Sequence, residues 1–83
     1  MGSAAVKVGG IVLYRINEWD EKSGIPGTDR RANPPQRGHE YPMIVTRVWE
    51  ADNVNGQVLI DGDYSLWVTS RKRGNEEGQW RTS

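Results

Sequence analysis

Five short stretches of the chain carry the apolar patterns that are typical of β-strands. In the first, residues 9–16, Val12, Tyr14 and Ile16 fall on one face, and apolar residues also occupy the other face. Such a pattern predicts a strand that is buried on both sides or that bends around a small barrel. The other strands are predicted at residues 42–50, 57–61, 64–70 and 79–82.

Polar and glycine residues between these stretches predict tight turns. Residues 51–56 form a polar cluster that predicts a turn. The Asp-Gly pair at residues 61–62 predicts a type I′ hairpin, because that turn needs positive φ at both central residues. Residues 71–78 predict another turn before the last strand. No stretch shows a convincing helical period, so the sequence predicts a chain without helices.

One connection is much longer than the others. Residues 17–40 contain three Gly, three Pro and nine charged residues, and they carry no strand or helix period. Loops of this length are uncommon in compact domains and are usually functional or disordered. We therefore predict a single domain over residues 1–83, with residues 1–8 as an N-terminal arm and residues 17–40 as a long docking loop.

The order of these elements predicts an all-β fold with five strands and a long loop after the first. This layout resembles the Src-homology-three-like (SH3-like) small barrel, and the sequence VKVGGIVLYR at residues 6–15 is similar to the start of many such barrels. The aromatic peptide-groove motifs of true Src-homology-three domains are missing, so the resemblance does not imply binding of proline-rich peptides. The alternative layout is the oligonucleotide-binding-like (OB-like) barrel.

A second resemblance covers about half of the chain. The segments YPMIVTRVW, VNGQVLIDG, LWVTSRKRG and GQW, all within residues 41–80, resemble a block of small β proteins encoded by tailed bacteriophages and prophages. The spacing of Trp49, Trp67 and Trp80 around the Asp-Gly pair carries this resemblance. That family has no settled activity, so it supplies no site residues. It implies a viral protein that is made in the host cytoplasm, with the virion as a further expected location.

Composition narrows the function classes. The 83 residues contain no cysteine, which excludes disulfides and thiolate sites, and no apolar run approaches the length of a membrane span. Eleven basic residues balance eleven acidic ones, and this zero net charge argues against a protein that mainly binds nucleic-acid backbones. The hydrophobic fraction of 35% indicates a thin core, or one that is completed by a partner.

Residues that could support catalysis or metal binding are sparse. His39 is the single histidine, and it has no cysteine or second histidine to share a zinc ion. Asp61 and Asp63 flank Gly62 at a predicted hairpin tip, where turn formation explains them. Residues 51–62 resemble an EF-hand loop in part but lack its first and last carboxylates. We therefore predict no enzyme activity, no metal and no cofactor.

The long loop instead has the composition of a protein-binding surface. Trp19 lies among charged residues, and it either covers the open end of the barrel or contacts a partner. The other candidate contact residues in this loop are Arg30, Arg31, Pro34, Pro35 and Arg37. We predict a virion-associated accessory protein, a capsid decoration (cement) or neck protein, that docks in multiple copies. Its expected partner is a capsid or neck protein or a second copy of the chain.

The alternative function is a nucleic-acid-binding small barrel. Arg71, Lys72 and Arg73 are consecutive and could contact phosphates, while Trp67 and Trp80 could stack on bases. Two glutamates follow closely and favour a solvated or protein-facing surface. The sequence therefore favours protein binding, with nucleic-acid binding as the alternative.

Overall fold

The protein is a strand-rich chain with one short helix. The computed structural model describes residues 6–23, 33–50, 52–62 and 65–82. In chain order the elements are β1 (Ile11–Arg15), α1 (Glu18–Lys22), β2 (Glu40–Glu50), β3 (Asn53–Leu59), β4 (Ser65–Lys72) and β5 (Trp80–Arg81). The predicted all-β class is confirmed. Within the described ranges, no helix has the length and apolar character needed to cross a membrane.

All five strands form one antiparallel sheet in the order β4-β3-β2-β1-β5. Strands β1 to β4 follow one another as a meander, and β5 returns to the free side of β1. The sheet curls into a half-barrel, as expected for the small five-stranded fold with a long loop after its first strand. The OB-like alternative is built on a Greek key, whereas this order is a simple meander with one returning strand.

The concave side of the sheet holds the core. Its two largest fully buried side chains are Trp80 and Tyr14. On β1 the face with Val12, Tyr14 and Ile16 is buried, whereas Ile11 on the other face is 65% exposed, so the alternative of a strand buried on both sides is wrong. Strands β2, β3 and β4 add aliphatic residues and one methionine. The buried apolar residues are Val12, Tyr14, Ile16, Met43, Val45, Val54, Val58, Ile60, Val68 and Trp80.

Irregular pairing bends the central strands around this core. The register between β2 and β3 shifts twice, and that between β3 and β4 shifts once, next to Asn55. Such bulges bend a strand and increase its local twist. Gly56 lies at the crossing with β2, where a Cβ atom would stand 2.9 Å from the main-chain oxygen of Ile44. Any residue with a Cβ atom at position 56 would therefore force β3 away from β2.

Three sequence predictions about connections are wrong. Residues 53–56 belong to β3 rather than to a turn, because Val54, Asn55 and Gly56 are buried between two neighbouring strands. Arg71 and Lys72 continue β4 rather than turning. Strands β3 and β4 are not joined by a two-residue type I′ hairpin, because β3 ends at Leu59, β4 begins at Ser65, and Gly62 has positive φ whereas Asp61 does not.

The region predicted as one long docking loop also differs from expectation. Residues 18–22 form helix α1, and β2 already begins at Glu40. At the other end of the chain, Val6 packs against the core, so the predicted arm is attached from that residue onward. Residues 1–5 of the arm lie outside the described residues.

Candidate protein-binding surface

Helix α1 forms because its first turn is capped by its own sequence. The Asn17 side-chain oxygen accepts a 2.7 Å hydrogen bond from the Asp20 amide, and the Asp20 carboxylate accepts one of 3.1 Å from the Asn17 amide. This reciprocal pair is a capping box, which satisfies two amides that a helix start otherwise leaves unpaired. Acidic residues in the first turn and Lys22 in the last also suit the helix dipole.

A helix of five residues is unstable in water by itself, so a contact with the half-barrel must hold it. Asp20 supplies this contact and is 4% exposed. Its carboxylate accepts a 2.5 Å hydrogen bond from the Tyr14 hydroxyl and lies 3.6 Å from the Arg71 guanidinium. Burial, together with the Asp20 carboxylate, raises the pKa of Tyr14, so this hydroxyl keeps its proton to a higher pH than an exposed tyrosine does.

Trp19 projects from the same helix into solvent. It is 74% exposed, and the Lys22 ammonium lies 5.6 Å from the centre of its ring. The alternative that Trp19 covers the open end of the barrel is therefore wrong. The residue next to it, Asp20, is buried and hydrogen-bonded to Tyr14 of the core. The tryptophan is thus exposed on a helix whose position is fixed.

Arg37 joins the second half of the loop to the helix. Its amide donates a 2.9 Å hydrogen bond to the Glu21 carboxylate, and its Nη1 lies 4.0 Å from the Glu18 carboxylate. Its Nε donates a 2.8 Å hydrogen bond to Glu77, which follows β4. The side chain is about half exposed, so Arg37 supports the helix and still borders the surface around Trp19.

The two prolines have different environments. Pro35 is buried, whereas Pro34 is exposed. Just before them, Asn33 is held by Asp61 through two hydrogen bonds of 2.7 Å, one from its amide and one from its side chain. The described second half of the loop is therefore attached to the barrel. The remaining two candidates, Arg30 and Arg31, lie outside the described residues.

The basic segment at the end of β4 is largely engaged within the chain. Arg71 pairs with buried Asp20, and Arg73 lies 3.4 Å from the Asp52 carboxylate and 4.8 Å from the centre of the Trp80 ring. Lys72 is exposed. A phosphate that binds Arg71 or Arg73 would therefore compete with carboxylates already in place.

Of the two tryptophans considered for base stacking, only one reaches the surface. Trp80 is fully buried, and its indole N–H donates to the main-chain oxygens of Arg71 and Asp52 at 3.0 and 3.2 Å. The prediction that a base could stack on Trp80 is therefore wrong. Trp67 is exposed, on strand β4.

The residues considered for catalysis or metals have other neighbours. Asp61 binds Asn33, and buried Asn55 accepts hydrogen bonds from the Trp49 indole (2.9 Å) and the Ser70 amide (2.8 Å). His39 is exposed and lies directly before β2, while Asp63 lies outside the described residues. No group of three or more His, Cys, Asp or Glu side chains with metal-site geometry occurs in the described part of the chain.

Two residues that build the surface were missed in the sequence. Asn17 and Asp20 have the spacing of a capping box, with a cap residue and an acidic residue three positions later. That signal could have predicted the start of a helix directly after the first strand. Nothing local marks Asp20 as buried, because its partners Tyr14 and Arg71 come from two different strands.

Comparisons with models of known protein families, with curated proteins and with solved structures each gave no match. The resemblance to phage-encoded β proteins therefore rests on residues 41–80 of the sequence alone. The fixed and exposed position of Trp19 is the structural observation from which a function can be inferred.

Proposed function

We propose that the protein is a non-enzymatic binding module that presents Trp19 to a partner protein. The observation that carries the proposal is a tryptophan that is 74% exposed on a helix fixed to the core through Asp20. Tryptophan is enriched among the few residues that dominate binding energy at protein interfaces. A helix that is already in place loses little conformational entropy on binding, which favours affinity.

The residues around Trp19 suit the rim of such an interface. Glu18, Lys22 and Arg37 are exposed or half exposed and carry both signs of charge. Protein interfaces commonly place an apolar residue in the centre and polar residues at the edge. The matching partner surface is an apolar pocket for one indole ring, bordered by charges of both signs.

The context that we propose is a virion. The sequence block at residues 41–80 resembles small phage-encoded β proteins, and a small contact area suits a protein that docks in many copies on a lattice. Each contact can then be weak, because simultaneous contacts raise the overall avidity. In this role the chain decorates a capsid or neck and reinforces it.

The test is the binding of variants to particles of the phage or prophage that encodes the chain. Trp19→Ala should weaken co-sedimentation with these particles by roughly 30-fold or more, the loss typical of a central interface tryptophan. Trp49→Ala is the control, because Trp49 is also exposed in part but lies on strand β2 and not on helix α1. Circular dichroism must show that both variants are folded.

A photo-crosslinking residue at position 19 then identifies the partner directly. Crosslinks from position 19 to a capsid or neck protein, with few from position 49, are the expected result. Binding of Trp19→Ala that equals wild type would overturn the proposal that Trp19 is the contact. Absence of wild-type binding to the particles would overturn the proposed virion role.

A further inference from the structure

Strand β4 forms one edge of the sheet. It pairs with β3 on one side, and no other strand in the described part of the chain pairs with residues 65–69 on the opposite side. Proteins usually protect such edges with charges, prolines or bulges. Residues 65–68, with the sequence SLWV, contain none of these, and a bulge of β4 follows at residues 69–70. The opposite edge is β5, which is only two residues long.

The middle of this edge carries an exposed tryptophan. Trp67 is 61% exposed and lies on the outer face of the sheet. Trp67 is paired with Gln57 on β3, and Gln57 is paired with Ile44 on β2. Ile44 is in turn paired with Ile11 on β1, so the four side chains form one row across four strands. Trp67 ends that row, with nothing beyond it within the described sheet. The row is therefore open to continuation by another strand.

The edge segment is nearly symmetric about Trp67. Polar Ser65 and Thr69 are at its ends, and apolar Leu66 and Val68 flank the tryptophan. Leu66 and Val68 face the core, whereas Ser65, Trp67 and Thr69 face outward. If a second copy of this segment paired with it in antiparallel orientation, polar residues would lie opposite polar ones, aliphatic opposite aliphatic, and tryptophan opposite tryptophan.

We propose that two copies of this chain associate by antiparallel pairing of their β4 edges, with the two-fold axis at Trp67. Each Trp67 then lies opposite the partner's Trp67 on the outer face. Leu66 lies opposite the partner's Val68 on the core side, and Ser65 lies opposite the partner's Thr69. Symmetric pairs of this kind are the commonest form of oligomer, because one surface serves both subunits.

The register follows from the faces of the strand. Residues directly opposite each other in an antiparallel pair share a face, so a shift by one residue would bring Trp67 against Val68 and is excluded. Shifts by two residues would set Trp67 against Ser65 or Thr69 and lose the aromatic pair. Aromatic cross-strand pairs stabilise a sheet, which favours the register centred on Trp67.

The pairing ends where β4 itself becomes irregular. Ser70 has a φ of 54°, and its amide turns to the side chain of Asn55. The charged residues Arg71 and Lys72 follow. A positive φ and charges both oppose strand addition, so the ladder between copies is limited to residues 65–69.

Charge substitution at Trp67 tests the proposal. Sedimentation equilibrium from micromolar to millimolar concentration should give wild type a mass twice that of the chain. Trp67→Glu and Trp67→Lys should each weaken self-association at least about tenfold, because like charges then face each other across the axis. An equimolar mixture of the two variants should associate again, since opposite charges then meet. Trp19→Glu is the control and should associate like wild type, which separates this surface from the one proposed for the partner protein.

Amide hydrogen exchange distinguishes pairing along the edge from stacking of the outer faces. Edge pairing should slow exchange at amides of β4 as the concentration rises and leave β5 unchanged. The proposal is overturned if wild type remains monomeric, if the two charged variants associate as well as wild type, or if their mixture remains monomeric. It is likewise overturned if β4 exchange does not depend on concentration.

Discussion

The hydroxyl of Tyr14 donates a 2.5 Å hydrogen bond to the carboxylate of Asp20, and this contact joins the core of the half-barrel to helix α1. Tyr14 belongs to β1, and Asp20 occupies the third position of the helix. Because the neighbouring residue is Trp19, the same hydrogen bond sets the position of the proposed binding residue. This side-chain pair therefore contributes to stability and also positions the residue that we propose to contact a partner.

Tyr14→Phe removes this hydrogen bond and leaves the buried Asp20 carboxylate with fewer donors. Hydrogen bonds to charged groups contribute about 1.5–3 kcal/mol, so we expect the free energy of unfolding to fall by about 2 kcal/mol. For a domain of this size that corresponds to a melting temperature roughly 10 °C lower. Thermal unfolding followed by circular dichroism measures it. Tyr41→Phe is the control, because the Tyr41 oxygen accepts only a 3.3 Å hydrogen bond at the surface. Equal losses in the two variants would contradict this account.

Stability should also fall at alkaline pH because of Tyr14. Its pKa in the folded protein is raised, whereas in the unfolded chain it is near the ordinary value of about 10. Below pH about 10 Tyr14 is protonated in both states, and its contribution to the free energy of unfolding is fully present. Above that pH only the unfolded chain loses the proton, so unfolding becomes easier by up to about 1.4 kcal/mol per pH unit.

Urea unfolding of wild type and Tyr14→Phe from neutral pH to beyond the tyrosine range measures this effect. Wild type should lose stability more steeply than the variant, because the lysines and the other tyrosines titrate in both proteins. Parallel pH profiles would show that Tyr14 ionises as easily in the folded state as in the unfolded one.

The sequence indicated which residues of β1 share a face, because side chains of a strand alternate with a period of two. Val12, Tyr14 and Ile16 share the face that the structure buries, whereas the apolar residues on the other face left open which side packs on the core. The β2–β3 connection was predicted wrongly because Asn and Gly in residues 53–56 have strong turn preferences. Tertiary packing overrides these preferences, since Asn55 is buried and accepts hydrogen bonds from the Trp49 indole and the Ser70 amide.

The candidate site was predicted in part. Trp19 and Arg37 could be identified as unusual residues in a charged loop, and both border the surface that the structure describes. Their fixed positions could not be predicted, because the contacts that hold them join distant parts of the chain. Arg37 and Glu77, for example, are 40 residues apart. Local sequence patterns carry no information about such a pair.

Gly56→Ala tests the close approach of β3 and β2. The added Cβ atom would lie 2.9 Å from the main-chain oxygen of Ile44 and against the side chain of Met43. Overpacking of this kind costs about 1–3 kcal/mol, so we expect a clear loss in urea unfolding experiments. Thr46→Ala, at an exposed position of β2, is the control and should change stability by less than about 1 kcal/mol. A Gly56→Ala variant as stable as wild type would mean that the two strands can separate freely at this point.

The salt dependence of nucleic-acid binding tests the alternative function. Arg71 and Arg73 are paired with Asp20 and Asp52, which leaves Lys72 as the exposed cation of the three. Each phosphate contact contributes a slope of about −0.9 to a plot of log affinity against log salt for duplex DNA. We therefore expect a slope no steeper than about −1 for a short fluorescent duplex, and none for Lys72→Gln. A slope near −3 would mean that all three residues contact phosphates. Arg71 and Arg73 would then have exchanged their carboxylate partners for phosphates of the nucleic acid. That result would favour the nucleic-acid-binding function over the protein-binding one.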